Sequence, residues 1–189
     1  MIKVVGGKHR GRTLATPEGL ETRPTSSRAR ESLFNILAHA SWRPDGTSPL
    51  VDARVLDAFA GSGALGIEAL SRGAAHATFL DTDASAIKAI GENLRKLGET
   101  GAAKVVRADA TRPPPTSEAC DLLFLDPPYR SGTAGPALSA LAGAGWVKPG
   151  AIVTVEVAAT EDLAPPSGFE AIDERRYGAT KIVILRRTP

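Results

Sequence analysis

The sequence predicts an α/β protein built on a mostly parallel sheet, and three observations support this. The chain of 189 residues has the length of one domain, and its content of 42% apolar and 23% charged residues is typical of globular proteins. From residue 54 onward, strand-like apolar segments alternate with segments of helical periodicity, as in parallel sheets with right-handed crossovers. The last two strand-like segments follow each other without a helix, so we expect one of them to run antiparallel.

The first 43 residues form a basic segment with its own pattern. They carry eight Lys and Arg against three Asp and Glu, whereas residues 44–189 carry 15 against 18. The segment Ile-Lys-Val-Val at 2–5 and the two glycines after it predict a short strand and turn, and apolar residues at helical spacing through Leu37 predict a helix. The charge is typical of a surface that contacts a polyanion, with a solvated basic face as the alternative. We therefore divide the chain into a basic N-terminal extension, 1–43, and a main domain, 44–189.

Seven strands and three helices are predicted within the main domain. Each strand candidate is a short apolar run, and each helix candidate carries apolar residues at helical spacing. The strand candidates are residues 54–59, 77–80, 104–107, 122–125, 152–157, 169–173 and 181–185. The helix candidates are residues 65–71, 85–97 and 137–142.

Acidic residues stand at the ends of the first four of these strands. They are Asp57 (just inside the first strand), Asp81, Asp109 and Asp126. Ligands of such sheets bind at the carboxyl ends of the strands. A single acid there is often a cap or turn residue, but four together indicate a ligand rich in hydroxyls, amines or positive charge.

The turn after the first strand is rich in glycine. Residues 61–66, Gly-Ser-Gly-Ala-Leu-Gly, match G-x-G-x-x-G, and Asp81 follows Gly61 by 20 residues. Alone, this dinucleotide fingerprint favours an NAD-dependent oxidoreductase. However, Asp57 would repel a pyrophosphate and attract an ammonium group. S-adenosylmethionine carries an ammonium, a sulfonium and a ribose but no phosphate, so we favour it, with Asp81 accepting from the ribose hydroxyls and Asp109 from the adenine amine.

The fourth strand ends in Asp126-Pro127-Pro128-Tyr129, which resembles the [DNS]-P-P-[YF] motif of amino methyltransferases. The exocyclic amine of a nucleobase is a poor nucleophile because its lone pair is delocalised into the ring. A carboxylate and the Pro127 carbonyl that accept its two N–H groups would orient that lone pair and support the developing positive charge. Proline stiffens the loop, and the tyrosine offers a flat face for stacking a base.

These motifs together resemble the bacterial small-subunit ribosomal RNA guanine-N2 methyltransferase family over essentially the whole chain. The similarity lies in Arg-Pro-Thr-x-x-Arg-x-Arg-Glu at 23–31, Asp-x-Phe-Ala-Gly-Ser-Gly-Ala-Leu-Gly at 57–66 and Asp-Pro-Pro-Tyr at 126–129, with further matches at 6–12 and 177–180. The resemblance implies a class I S-adenosylmethionine-dependent methyltransferase, with a Rossmann-like, mostly parallel seven-stranded sheet, one antiparallel strand and an N-terminal β-hairpin. It implies methyl transfer from S-adenosylmethionine to the N2 amine of a guanine in small-subunit rRNA, free or in an assembled particle.

The family motifs also imply roles for individual residues. The cofactor would be held by Asp57, Phe59, Gly61, Ser62 and Gly63 around its methionine part, by Asp81 at the ribose and by Asp109 at the adenine. The catalytic loop would be Asp126, Pro127, Pro128 and Tyr129. RNA would be contacted by Arg10, Arg12, Arg23, Thr25, Arg28 and Arg30, gripping phosphates beside the cofactor rim.

Other classes of protein and of site fit the sequence less well. The single cysteine, Cys120, excludes an intramolecular disulfide and a Cys-rich zinc site, and the three histidines lack ligand spacing, so we expect no metal. Without a signal peptide or an apolar run that could span a membrane, we expect a cytoplasmic protein without a membrane partner. We also expect a monomer. The alternatives are an amino methyltransferase acting on DNA adenine or protein glutamine, an NAD-dependent oxidoreductase and a non-catalytic RNA-binding factor.

Overall fold

Thirteen strands and helices are present in the computed structural model, which describes residues 1–17, 27–43, 45–128 and 130–189. The N-terminal extension contains β1 (Ile2–Lys3), β2 (Thr13–Leu14) and α1 (Ser27–His39). The main domain contains β3 (Arg54–Ala58), α2 (Ala64–Ser71), β4 (His76–Asp81), α3 (Ala84–Leu97), β5 (Ala103–Arg107), β6 (Cys120–Leu125), α4 (Ala134–Gly143), β7 (Val147–Ala158), β8 (Phe169–Tyr177) and β9 (Thr180–Arg187). None of the helices in the described ranges has the length and apolar character needed to cross a membrane.

The main sheet has seven strands in the order β5-β4-β3-β6-β7-β9-β8. Neighbouring strands are parallel up to β7, and β9 runs antiparallel to both β7 and β8. The prediction of a mostly parallel sheet with one antiparallel strand is therefore confirmed, and that strand is the last one. Because β3 lies between β4 and β6, the chain reverses its direction of travel across the sheet there, which is where such folds bind ligands.

Two strands, β7 and β8, extend furthest beyond their predicted bounds. β7 begins at Val147, since a register shift in its pairing with β6 accommodates residues 148–151, which interrupt the apolar pattern. β8 continues to Tyr177 through the charged residues 173–176. As the edge strand it exposes much of its surface, so its last residues show no apolar signal.

Helix α1 packs against the main sheet, so the extension and the main domain share one core. Leu33, Phe34 and Leu37 of α1 are buried in the same cluster as residues of β3 and β6. The ring centroids of Phe34 and Phe124 lie 5.4 Å apart. The boundary at residue 43 therefore separates regions of different charge rather than two independent cores.

The expected N-terminal hairpin is present as the antiparallel pair β1 and β2, and it lies along α2. The Val5 N–H donates to Glu68 within α2 at 2.9 Å, and the His9 N–H donates to Ser71 Oγ, at the last residue of α2, also at 2.9 Å. Since α2 leads from the carboxyl end of β3 back to the start of β4, Ser71 marks the edge of the sheet where the strands begin. The turn between β1 and β2 therefore lies at the edge opposite to the strand-end acids.

Candidate active site

A cavity of about 740 Å³ opens at the carboxyl ends of the central strands. All four strand-end acids line it, together with the glycine turn after β3 and the loop after β6. Its lining residues include Asp57, Phe59, Gly61, Ser62, Asp81, Asp83, Asp109, Asp126, Pro127, Pro128, Glu156 and Arg30. In the described part of the chain, no group of three or more His, Cys, Asp or Glu side chains is arranged to hold a metal ion.

The glycine turn places its backbone directly against the cavity. Gly61 and Gly63 have φ angles of 55° and 76°, a backbone conformation that residues other than glycine rarely adopt. A Cβ atom added at Gly61 would meet nothing within 4 Å, so the backbone there is open to a ligand. Phe59 also lies in the left-handed region, with φ 67°, and such strain in a non-glycine residue is typical of functional sites.

Asp57 is a buried carboxyl group at the cavity wall, with only 1% of its surface exposed. Its Oδ2 accepts a hydrogen bond of 2.8 Å from the Gly66 N–H in the first turn of α2. Burial raises the pKa of Asp57 to about 8; this hydrogen bond opposes the shift, and the nearby Asp81 adds to it. A carboxyl group in this environment would ionise more easily beside a cationic ligand.

The raised pKa predicts that Asp57 makes the stability of the protein depend on pH. In the unfolded chain an aspartate titrates near about 3.9, so between roughly pH 4 and pH 8 the folded protein holds a proton that the unfolded chain releases. The contribution of Asp57 to the free energy of unfolding should therefore fall as pH rises through this window, by up to about 1.4 kcal/mol per pH unit, and level off above it. Urea unfolding at several pH values measures this slope. Asp57→Asn should flatten it, and identical slopes in the two proteins would contradict the prediction.

Asp81 and Asp109 are oriented by hydrogen bonds from backbone and side-chain groups of the surrounding loops. Asp81 accepts from the Gly61 N–H at 2.8 Å and from the Asp83 N–H at 2.9 Å, which links the end of β4 to the glycine turn. Asp109 accepts from the backbone N–H and the hydroxyl of Thr111 at 2.8 and 2.7 Å, and these bonds lower the pKa of Asp109. Both carboxylates therefore face the cavity in fixed orientations.

Asn93 connects the glycine turn to the N-terminal extension. Its Oδ1 accepts from the Ala15 N–H at 2.7 Å, and its Nδ2 donates to the carbonyls of Ala15 and Ser62 at 3.0 and 3.1 Å. The side chain is buried, so these bonds are shielded from water. The extension thus helps to hold Ser62, one of the predicted cofactor residues, in place.

The loop after β6 forms another wall of the cavity. Asp126 is half-buried, Pro127 is buried and Pro128 is exposed, and all three line the cavity with the glycine turn. Tyr129 lies outside the described residues. The structure therefore brings the predicted catalytic acid to one cavity with all the predicted cofactor residues except Gly63, which faces Phe79 and Ile90 instead.

Glu156 was not predicted as a site residue, although it lines the same cavity. It lies on β7, and only 8% of its surface is exposed. A signal was available, because Glu156 is the single charged residue in the apolar run 151–159.

The arginines predicted to contact RNA have different placements. Arg10 and Arg12 are exposed, but they belong to the hairpin turn at the opposite edge of the sheet, so the expectation that they flank the cofactor rim is wrong. Arg28 is exposed on α1. Arg30 is only 2% exposed, since it packs between α1, α2 and β1, and it is therefore not a surface contact for phosphate. Arg23 and Thr25 lie outside the described residues.

Known proteins are similar to this chain in fold and sequence. Residues 2–186 match the model of a family described as conserved hypothetical protein 95. The chain is 40% identical over 156 residues to ribosomal RNA small subunit methyltransferase D of Escherichia coli, an alignment that covers 82% of this chain and 74% of that protein. It is 34% identical over 182 residues to the protein of the same name from Haemophilus influenzae, with coverages of 94% and 89%. The solved structure of the yhhF protein of Escherichia coli has a TM-score of 0.82 at 36% identity, covering 99% of this chain and 98% of that chain.

The strand order and this structural similarity identify the class I methyltransferase fold, as the motifs predicted. The match at 2–186 leaves only the terminal residues outside the family model. The chain therefore belongs to the conserved hypothetical protein 95 family, that of the ribosomal RNA small subunit methyltransferase D proteins.

Proposed function

We propose that this protein transfers a methyl group from S-adenosylmethionine to the exocyclic N2 amine of a guanine in small-subunit ribosomal RNA. One observation carries the proposal: the glycine turn and the Asp126-Pro127-Pro128 loop line a single cavity at the carboxyl ends of the strands. The names of the Escherichia coli and Haemophilus influenzae relatives support small-subunit rRNA as the substrate class.

The chemistry of the cavity fits S-adenosylmethionine better than a dinucleotide. Six acidic side chains line it, which favours a ligand with positive charge and disfavours a pyrophosphate. Asp57 would pair with the ammonium group, and Gly61 leaves room for close contact with its backbone. Asp81 would accept from the ribose hydroxyls and Asp109 from the adenine amine. The NAD-dependent oxidoreductase suggested by the glycine spacing alone is therefore the weaker alternative.

Residues of the β6 loop would activate the amine. The cofactor, when bound, supplies a methyl group made electrophilic by its sulfonium. The Asp126 carboxylate and the Pro127 carbonyl would accept the two N–H groups of the guanine amine, which turns its lone pair toward that methyl group. As positive charge develops on the nitrogen, the carboxylate stabilises it, and Asp126 is the group placed to receive the proton that the amine loses.

A methyl-transfer assay tests the proposal. Purified protein and tritiated S-adenosylmethionine would be incubated separately with small ribosomal subunits, free small-subunit rRNA, DNA and ribosomal protein. We expect label in the RNA, and mass spectrometry of its nucleosides should show one N2-methylguanosine. Comparing the first two substrates shows whether free RNA or the particle is preferred. Label in DNA adenine or protein glutamine, or a different methylated nucleoside, would overturn the proposal.

Arg10 and Arg12 are expected to contact RNA away from the reaction centre. Replacing both with alanine should weaken RNA binding and reduce the slope of log affinity against log salt by about two, since each phosphate contact contributes nearly one. Because these residues lie at the opposite edge of the sheet, KM should rise while kcat stays near the wild-type value. Affinity measured across a salt series checks this, and an unchanged slope would remove both residues from the RNA contact.

A further inference from the structure

Arg30 is the basic residue among the described residues that line the cavity. It lies on α1, and its side chain is 3% exposed. The other charged residues of the lining are Asp57, Asp81, Asp83, Asp109, Asp126 and Glu156. Burying a guanidinium without a close partner costs free energy, so the position of Arg30 at the wall of an acidic cavity needs an explanation.

The nearest carboxylate neutralises the positive charge of Arg30 only in part. Glu68 of α2 is fully buried, and its Oε1 accepts a hydrogen bond of 2.8 Å from Nε of Arg72. The other oxygen, Oε2, accepts from the Val5 N–H and lies 3.9 Å from Nε of Arg30. One carboxylate thus serves two guanidinium groups, which leaves one positive charge in excess in this cluster.

The hydrogen bonds of Arg30 are also incomplete. Its Nη2 donates to the Lys3 carbonyl at 2.5 Å, but its Nε is buried and has no hydrogen-bond partner within the described chain. A buried donor without a partner is rare in native structures and is often completed by a bound group. Because Arg30 lines the cavity, a group bound there would lie beside its guanidinium.

We propose that Arg30 binds the carboxylate of the amino-acid end of S-adenosylmethionine. The inference rests on the proposed function, which supplies the cofactor. Arg30 and Asp57 both contact α2, at Glu68 and Gly66, and both line the cavity, so together they present opposite charges to a zwitterion. A guanidinium suits a carboxylate in particular, because its planar N–H groups match the two oxygens.

A change in the ligand, with the protein unchanged, tests whether the carboxylate of the cofactor contributes to binding. Calorimetric titration would compare S-adenosylmethionine with its decarboxylated form, which keeps the ammonium, the sulfonium and the adenosine. We expect the wild-type protein to bind the decarboxylated form about 10- to 100-fold more weakly, since charge-assisted hydrogen bonds are lost. Equal affinities for the two compounds would overturn the proposal.

Substitution then assigns the effect to Arg30. In Arg30→Met the two compounds should bind with similar affinity, and in Arg30→Lys the preference should shrink because a lysine cannot pair in the same planar manner. Arg95→Met, at an exposed position on α3 outside the cavity lining, is the control and should keep the wild-type preference. If Arg30→Met does not fold, circular dichroism will show it, and Arg30→Lys remains as the test.

The outcomes separate this inference from the proposed function. A wild-type protein that binds neither compound would refute the proposed cofactor itself. A wild-type protein that binds S-adenosylmethionine, with an undiminished preference for its carboxylate in the Arg30 variants, would refute only the role of Arg30.

Discussion

Replacing Asp126 with alanine is expected to lower kcat for methyl transfer by about 10²- to 10³-fold, which is the usual effect of removing a group that stabilises charge in the transition state. The affinity for S-adenosylmethionine should change little, because Asp57, Asp81 and the glycine turn belong to other walls of the cavity. Single-turnover transfer to the RNA substrate measures the first quantity, and calorimetry measures the second.

Two further variants make this result specific. Asp126→Asn keeps one acceptor oxygen but cannot take up a proton, so its kcat should fall between those of the wild type and Asp126→Ala. Asp162→Asn is the matched control, since this aspartate is fully exposed and outside the cavity, and it should behave as the wild type. Wild-type turnover by Asp126→Ala would remove this residue from the mechanism.

Replacing Gly66 with alanine is expected to lower the free energy of unfolding by about 3 kcal/mol, at the upper end of the usual cost of overpacking a core. A Cβ atom at this position would lie 2.3 Å from Cε1 of Phe79, whose ring is fully buried. The first turn of α2 would have to shift, and the Gly66 N–H would move away from Asp57. Urea unfolding measures the loss of stability, and we also expect weaker cofactor binding.

Gly91 on α3 is the matched control for this substitution. An added Cβ there would meet only the end of the flexible Arg95 side chain, at 3.9 Å. Gly91→Ala should therefore stabilise the protein by about 0.5–1 kcal/mol, which is the difference in helix propensity between the two residues. A stability change of the same sign in both variants would show that the contact with Phe79 does not decide the outcome.

Local patterns were sufficient to predict the sheet and much of the cavity lining. The apolar segments correctly indicated all seven strands of the main sheet, and the missing helix between the last two correctly indicated an antiparallel strand. Asp57, Asp81, Asp109 and Asp126 were predicted to meet because the carboxyl ends of parallel strands share one edge. The cavity contains all four, although their roles stay predictions.

Features that depend on contacts between distant residues could not be predicted in this way. The hairpin turn places Arg10 and Arg12 away from the cavity because the adjacent His9 bonds to Ser71 and Glu99. No local sequence pattern indicates those partners. Arg30 was different, since its spacing from Leu33, Phe34 and Leu37 places it on the buried face of α1. Its positive charge favoured a surface role in the prediction, but the helical spacing indicated burial.

The N-terminal hairpin can complete its folding only when later parts of the chain are present. Its hydrogen bonds to the main domain reach residues of α2, of α3 and of the segment after α3, at separations of 62 to 90 residues. Contacts of such high order form late, because a long loop must close before they contribute stability. During synthesis residues 1–15 therefore emerge before the residues they bind, and they find their complete binding surface only after the chain has been made through residue 99.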